Sequence, residues 1–181
     1  MWSWALTPAV SLPDSHAVCQ ALANCPLVMV SEVMKDTDTS RFAHIRFPAL
    51  GWGEKDGTVT NSERRISRQR AFLPAPGEAK PDWWIVAQMA KRLGYGEAFA
   101  WQHPHEIFCE HAALTAFEND GARALNLHEL AALTREEWDQ LEPYQWPTGS
   151  FPRRNIVPVI PLSHGATVSA LYPLILNSGR I

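Results

Sequence analysis

The run Leu27-Val-Met-Val30 decides the fold, because four consecutive apolar residues predict a short strand that is buried on both faces of a sheet. Residues 14–24 come just before this run and predict a helix. Residues 2–6 predict an earlier strand, and residues 7–13 predict a loop between that strand and the helix. The order strand, helix, strand predicts a parallel sheet and an α/β fold.

Farther along the chain, regular elements flank one long irregular stretch. Residues 44–47 predict the end of another strand, and Asp82 opens a helix that ends at Gly94. Residues 48–81 are rich in Gly, Pro, Arg and Glu and show little periodicity, so we predict a long loop there, either functional or disordered. The buried stripe of the helix is predicted at Val86, Met89, Ala90 and Leu93.

The last third of the sequence changes character at Pro143. Residues 103–142 predict helices, whereas the residues after Pro143 are Pro-rich and predict extended chain. Within this extended part, strands are predicted at residues 156–160 and 171–176. Because the last strand runs into a Ser-Gly turn, we expect a truncated chain. Capping boxes are predicted at Asn126 with Glu129 and at Thr134 with Glu137.

The composition excludes several classes of protein. An apolar content of 46% and a charged content of 19% over 181 residues indicate a globular domain with a hydrophobic core rather than a disordered chain. The net charge of −3 argues against general attraction to nucleic acid or anionic lipid. No apolar run reaches the ~20 residues that span a bilayer, and the first residues lack the basic region of a signal peptide.

The cysteines do not form a metal-binding pattern. Cys19, Cys25 and Cys109 show no C-x-x-C spacing, so a zinc, iron–sulfur or redox site is not predicted from them. We predict that these thiols are small buried side chains in a reducing compartment.

The segment from Gly51 to Arg65, GWGEKDGTVTNSERR, is the most informative candidate site. Its glycines allow close approach of the backbone to a ligand, and Lys55 and Arg64 add positive charge. These features fit a phosphate or a polar heterocycle. A solvated charged loop explains the same residues, because no general phosphate-loop pattern is present.

Three acidic or hydroxyl side chains lie next to predicted elements. Ser31 and Glu32 directly follow the predicted buried strand, where ligands bind in parallel α/β sheets. A helix-capping Ser and a surface Glu are an equally good interpretation. Asp82 begins a helix, where the helix dipole favours negative charge with or without a ligand.

Two further clusters invite a functional interpretation that we do not favour. The basic run Arg64, Arg65, Arg68 and Arg70 resembles a nucleic-acid patch, but Glu63 and the negative net charge argue against one. The histidines at 103, 105 and 111 with Glu110 suggest a metal site, but their spacing is not that of a ligand set. Solvated histidines at a helix end are the favoured interpretation.

Four runs carry a resemblance to a known family, in the same order as in that family. Two of them are long and specific: residues 48–70, PALGWGEKDGTVTNSERRISRQR, and residues 76–84, PGEAKPDWW. Residues 8–14, PAVSLPD, and residues 172–180, YPLILNSGR, are shorter. Together they resemble the large subunit of assimilatory nitrate reductases, within the wider group of molybdopterin oxidoreductases that includes formate dehydrogenases.

The resemblance implies an enzyme several times longer than this chain. Such enzymes reduce nitrate to nitrite at a molybdenum held by two molybdopterin guanine dinucleotides, and a 4Fe-4S cluster delivers the electrons. The cluster cysteines and the metal-ligating residue lie upstream of this sequence in the family, so no catalytic or metal-binding residue is assigned here. We expect the isolated chain to be inactive, to contain no stoichiometric molybdenum or iron, and to be prone to aggregation.

The resemblance also implies a fold and its division. Residues 1–100 are expected to form part of the parallel-sheet domain that binds the guanine dinucleotide. Residues 101–150 are expected to be a helical insertion, and residues 151–181 the linker and first strand of a β-rich C-terminal domain. The cofactor-binding residues implied by the family motifs are Thr7, Ser31, Glu32, Lys55, Asp82, Ser178, Gly179 and Arg180. Thr7 stands where the family has Asn, Glu32 where it has Asp, and His44 where Asp is common.

The implied partners are the rest of the catalytic subunit, nitrate, and an electron donor such as ferredoxin, flavodoxin or an NADH-linked reductase subunit. A cytoplasmic location is expected, without nucleic-acid or membrane partners. Two alternatives stay open, namely a related molybdoenzyme such as a formate dehydrogenase and a non-catalytic remnant that keeps only the fold.

Overall fold

The computed structural model of the protein describes residues 1–147 and 168–174. The chain divides into two units, Met1–Phe151 and Pro152–Ile181. In the second unit, residues 168–174 form a turn in which the Ser169 N–H donates to the Tyr172 carbonyl at 2.9 Å. The strand predicted at 171–176 is wrong for residues 171–174, which are not extended in a sheet, and its remainder and the strand predicted at 156–160 lie outside the described residues.

A three-stranded parallel sheet forms the first part of the larger unit. Its strands β1 (Trp2–Trp4), β2 (Met29–Glu32) and β3 (Ile45–Pro48) lie in the order β1-β2-β3. The predicted parallel sheet and α/β fold are therefore confirmed. The predicted strand at 27–30 begins and ends two residues later, because β2 pairs through Ser31 with Trp4 of β1 and through Glu32 with Pro48 of β3.

Two helices connect β1 to β2. Helix α2 (Ser15–Ala23) confirms the predicted helix, and Asp14 caps it by accepting from the Ala17 N–H at 3.1 Å. The loop predicted at 7–13 is wrong, since helix α1 (Pro8–Ser11) lies within it. Pro8 at its first position favours a helix start, because its ring fixes φ near the helical value. The small core under the sheet consists of Ala9, Leu22, Val28 and Val30.

An antiparallel sheet occupies part of the stretch predicted to be an irregular loop. Strands β4 (Gly57–Thr60) and β5 (Arg65–Gln69) pair as a hairpin, and β6 (Tyr144–Gln145) pairs with β5. The β-branched residues of GTVT and the buried Ile66 of β5 suit strands. The prediction of an irregular loop failed because the two strands are short and consist mainly of charged and polar residues, so no apolar alternation is visible in the sequence.

Three helices complete the larger unit: α3 (Asp82–Arg92), α4 (Pro104–Ala116) and α5 (Arg135–Asp139). The predicted start of α3 at Asp82 is confirmed, and Gly94 follows its end with φ +92°. The predicted buried stripe is confirmed at Ala90 and wrong at Leu93, which is 67% exposed. The other buried residues of α3 are Ile85 and Ala87.

The two predicted capping boxes have different outcomes. Thr134 and Glu137 form a capping box at α5, as predicted. Asn126 instead accepts from the His128 N–H at 3.1 Å, ahead of a short 3-10 helix (His128–Leu130). The core of this region lies between β5, α4 and α5 and consists of Ile66, Phe108, Ala112, Leu127, Leu130 and Trp138.

Candidate functional site

The carboxyl ends of the three parallel strands lie at one edge of the sheet. Trp4 at the end of β1 pairs in register with Ser31, and Glu32 at the end of β2 pairs with Pro48. In open parallel α/β sheets, ligands bind outside this edge. The sheet therefore brings residues from distant parts of the sequence to the place where a ligand is expected.

A backbone clamp brings Lys55 and Asp82 to this edge. The chain leaves the sheet after Pro48 and returns at Lys80, where Ala49 and Lys80 form an isolated parallel bridge. The Lys80 N–H donates to the Pro48 carbonyl and the Leu50 N–H donates to the Lys80 carbonyl, each at 3.1 Å. The segment between residues 50 and 80 therefore starts and ends beside β3. This brings Lys55 and Asp82, the two ligand-binding residues implied by the family motifs, close to one another.

Asp82 is held by two donors. Lys55 Nζ donates to Asp82 Oδ2 at 2.8 Å, and Trp4 Nε1 donates to Asp82 Oδ1 at 2.9 Å. The Lys55 and Asp82 side chains are 29% and 22% exposed, so this ion pair is half-buried. Asp82 is also the first residue of α3, where the helix dipole stabilises its negative charge.

These three residues line a cavity of about 360 Å³, a volume in the range of ligand pockets. A carboxylate has about four acceptor positions, of which the two bonds to Lys55 and Trp4 use two. The remaining positions can accept the paired N–H donors of a flat heterocycle, and Lys55 supplies positive charge for a phosphate. The rest of the wall is mixed polar and aromatic: Asp56, Gly57, Thr58, Gln69, Pro81, Trp83, Pro104, Ile107, Phe108 and His111.

Ser31 and Glu32 are the last two residues of β2, so their predicted position directly after the strand is wrong. Ser31 is 3% exposed, and its Oγ accepts from Trp2 Nε1 at 2.9 Å. Glu32 Oε1 accepts from the Val33 N–H at 3.0 Å. The Glu32 side chain lines a second cavity, of about 270 Å³, together with Arg46 and Lys35.

The remaining predicted site residues are distributed as follows. Thr7 precedes α1, and its carbonyl accepts from the N–H groups of Val10 and Ser11 at 2.9 and 3.0 Å. Thr7 lines neither of the two cavities. Ser178, Gly179 and Arg180 lie outside the described residues. His44, which stands where the family commonly has Asp, accepts through Nδ1 from the Val28 N–H at 3.1 Å.

Arg68, in the basic run, is a buried structural residue. Its side chain is 3% exposed, and its guanidinium carbon lies 3.3 Å from the ring centroid of Trp138. It also forms an ion pair with Asp139 at 3.3 Å, and burial lowers the pKa of this arginine. A nucleic-acid patch that includes Arg68 is therefore excluded by its burial.

Two members of the histidine cluster, His103 and His105, contact one another and Trp138 at the start of α4. His103 caps the helix by accepting from the His105 N–H at 3.1 Å, and both rings pack edge-on against Trp138. Burial, followed by the positive charge of Arg135, lowers the pKa of His103. The prediction of solvated histidines is wrong for His103 and His105, which are half-buried. Burial raises the pKa of Cys109, which lies 3.4 Å from His105 Nε2.

Within residues 1–147 and 168–174, no three His, Cys, Asp or Glu side chains form a group suited to a metal ion. The helices of that same part of the chain are all too short or too polar to cross a membrane.

Trp4 is the site residue that the sequence interpretation missed. The available signal was the alternation Trp2-Ser3-Trp4, which places both indoles on one face of β1 and Ser3, 4% exposed, on the other. The partner of each indole lies on another element, so nothing local in the sequence pointed to it.

Comparison with known proteins places these features in a family. The sequence pattern described as "Molybdopterin oxidoreductase" matches residues 1–92. A nitrate reductase of Klebsiella oxytoca is 61% identical over 100% of this chain, and one of Shewanella frigidimarina is 47% identical over 83%. The chain spans only 22% and 16% of these two relatives.

A solved structure supports the same fold. Acetylene hydratase from Pelobacter acetylenicus superposes with a TM-score of 0.59 and 18% sequence identity, over 81% of this chain and 18% of that protein. The sequence pattern covers half of the chain and includes both Lys55 and Asp82. The chain therefore belongs to the molybdopterin oxidoreductase family.

Proposed function

We propose that the full-length protein is a molybdenum-dependent nitrate reductase and that this chain forms one wall of its bis(molybdopterin guanine dinucleotide) site. The proposal is supported by the identity of 61% to a nitrate reductase along the whole chain. The observation that carries the assignment of the wall is the cavity in which Lys55 and Asp82 meet at the carboxyl edge of the sheet.

The chemistry of the cavity fits a guanine nucleotide. The N1–H and N2–H₂ groups of guanine form a paired donor edge, which a carboxylate such as Asp82 accepts with both oxygens. Lys55 forms an ion pair with the Asp82 carboxylate, and its remaining N–H donors are available to a phosphate or carbonyl oxygen. Glu32, beside the second cavity, is a candidate acceptor for ribose hydroxyls.

When bound, the molybdenum cofactor would supply the redox centre for the reduction of nitrate. In that reaction nitrate takes up two electrons and two protons and is converted to nitrite and water. The residues of this chain act away from the molybdenum. They bind the guanine nucleotide end of the cofactor and exclude water from that end. The proposal extends to features that the family resemblance implies. These are a role in nitrate assimilation, a 4Fe-4S cluster and a cytoplasmic location, with ferredoxin, flavodoxin or an NADH-linked subunit as electron donor.

Two substitutions in the full-length protein test the wall. Asp82→Asn replaces an acceptor oxygen by an amide donor, and Lys55→Met removes the charge while keeping the length of the side chain. Because a hydrogen bond to a charged group contributes roughly 1.5–3 kcal/mol, each substitution is expected to lower retention of guanine nucleotide about tenfold or more. The measurement is the guanine nucleotide released per polypeptide on denaturation, with the melting temperature measured separately.

Asp38→Asn is the matched control, because Asp38 is also ion-paired, to Arg41 at 3.1 Å, but both side chains are more than half exposed and lie outside the cavity. If Asp82 serves only α3 and its ion pair, Asp82→Asn lowers the melting temperature and leaves the nucleotide content at the wild-type level. That result, obtained also for Lys55→Met, would refute the proposed site. Formate oxidation without nitrate reduction by the full-length protein would refute the proposed activity.

A further inference from the structure

Trp4 makes a contact with Asp82 that no local feature of the sequence requires. Its indole N–H reaches Asp82 Oδ1 at 2.9 Å across 78 residues of sequence, although the residue is 47% exposed. Trp4 also lines the cavity of about 360 Å³ that contains Lys55 and Asp82. Because Trp4 is exposed, burial of its ring contributes little free energy. The hydrogen bond to Asp82 is the contact that another apolar side chain at this position could not make.

The two donors to Asp82 have different consequences. The torsion that rotates an Asp carboxylate is broad, so a single bond from Lys55 to Oδ2 leaves the plane of the carboxylate poorly defined. A second bond, from the rigid indole of Trp4 to Oδ1, fixes that plane. Both bonds arrive from residues of the cavity wall, and the carboxylate then offers one further acceptor position on each oxygen.

We propose that Trp4 is a positioning residue, whose indole N–H holds the Asp82 carboxylate in the orientation that accepts the two N–H donors of a guanine base. This inference rests on the proposed function, because it assumes that Asp82 contacts the nucleotide. It adds a residue to that site and a reason for an exposed Trp at the end of β1. Trp4 acts through Asp82, so its substitution has no effect where the carboxylate is missing.

The test is a double-mutant cycle in the full-length protein, with guanine nucleotide retained per polypeptide after dilution as the readout. Trp4→Phe keeps an aromatic ring and removes the donor. We expect it to reduce nucleotide retention about threefold to tenfold in the wild-type background. In an Asp82→Ala background, the same substitution is expected to change nothing further, because residues that act together are not additive.

Trp101→Phe is the matched control. Its indole N–H also donates to a carboxylate, Glu110 Oε2 at 2.7 Å, and Trp101 is not part of the cavity wall. We expect this control to retain nucleotide at the wild-type level. Melting temperatures of all variants separate loss of fold from loss of binding.

The outcomes distinguish this inference from the proposed function. Loss of nucleotide in Asp82→Ala with full retention in Trp4→Phe would overturn the role of Trp4 and leave the proposed site standing. Equal losses from Trp4→Phe in both backgrounds, with a lowered melting temperature, would make Trp4 a structural residue and overturn the inference. Full retention in Asp82→Ala would overturn both.

Discussion

At the scale of single residues, the sequence identifies Lys55 and Asp82 only through motifs, and the structure explains their proximity by the clamp between Ala49 and Lys80. Chemistry-bearing residues with local motifs can be predicted in this way. Trp4 and Arg68 cannot, because their roles depend on partners 78 and 71 residues away. Arg68 belongs to the basic run that suggested nucleic-acid binding, but its side chain is buried against Trp138.

His103 makes the stability of the start of α4 sensitive to pH. Burial, with a smaller contribution from Arg135, places its pKa below the ordinary value of 6.5. The unfolded state therefore binds a proton more readily than the folded state. The stabilising contribution is complete above pH 6.5 and is lost as the pH falls from 6.5 through the lower pKa of the folded state.

We predict that His103→Asn makes the local stability of α4 less dependent on pH between neutral and acidic conditions. Asn is a good helix cap, so the variant keeps an acceptor for the His105 N–H and loses only the titration. The measurement is hydrogen exchange of the first turn of α4 in the full-length protein at two pH values, corrected for intrinsic exchange. Parallel pH dependence in the wild type and the variant would refute a role for His103.

At the scale of elements, β1, α2, β2 and α3 can be predicted from the sequence because their apolar patterns or caps are local. The hairpin of β4 and β5 cannot, because Ile66 is its main buried apolar residue. It is also completed by β6, in which Tyr144 pairs with Ile66 across 78 residues of sequence. Tertiary contacts also determine which face of α3 is buried, so the predicted buried stripe was correct at Ala90 and wrong at Leu93. Packing of the hairpin on α5 depends on Arg68.

We predict that Arg68→Lys loosens the hairpin. Lys loses the planar contact with Trp138 and cannot reproduce the fork of donors to Asp139 and to the Gly57 and Gln69 carbonyls. A desolvated cation–π contact contributes about 2 kcal/mol, which corresponds to roughly thirtyfold faster hydrogen exchange of the β4 and β5 amides.

Arg65→Lys is the control for this prediction, because the Arg65 side chain is 40% exposed and its ion pair with Glu63 is long, at 3.9 Å. A surface pair of this kind contributes little, so exchange is expected to stay close to that of the wild type. Equal exchange rates in Arg68→Lys and Arg65→Lys would show that the buried guanidinium does not hold the hairpin.

At the scale of the whole molecule, the parallel sheet agrees with the α/β fold expected for the family. The predicted division at residues 100 and 150 stays a prediction. The same holds for the cofactor-binding roles of all the predicted site residues: Thr7, Ser31, Glu32, Lys55, Asp82, Ser178, Gly179 and Arg180. The chain spans 22% of its Klebsiella oxytoca relative. The central claim is that this wall binds a guanine base.

The most direct test of this claim is an experimental structure of the full-length protein with its cofactor bound, in which the distances from Asp82 Oδ1 and Oδ2 to the nearest guanine nitrogens are measured. We expect both carboxylate oxygens to lie about 2.7–3.2 Å from N1 and N2 of one guanine. We also expect Trp4 Nε1 and Lys55 Nζ to remain hydrogen-bonded to Asp82. A guanine bound elsewhere, with the cavity of Lys55 and Asp82 holding no part of the cofactor, would contradict the account.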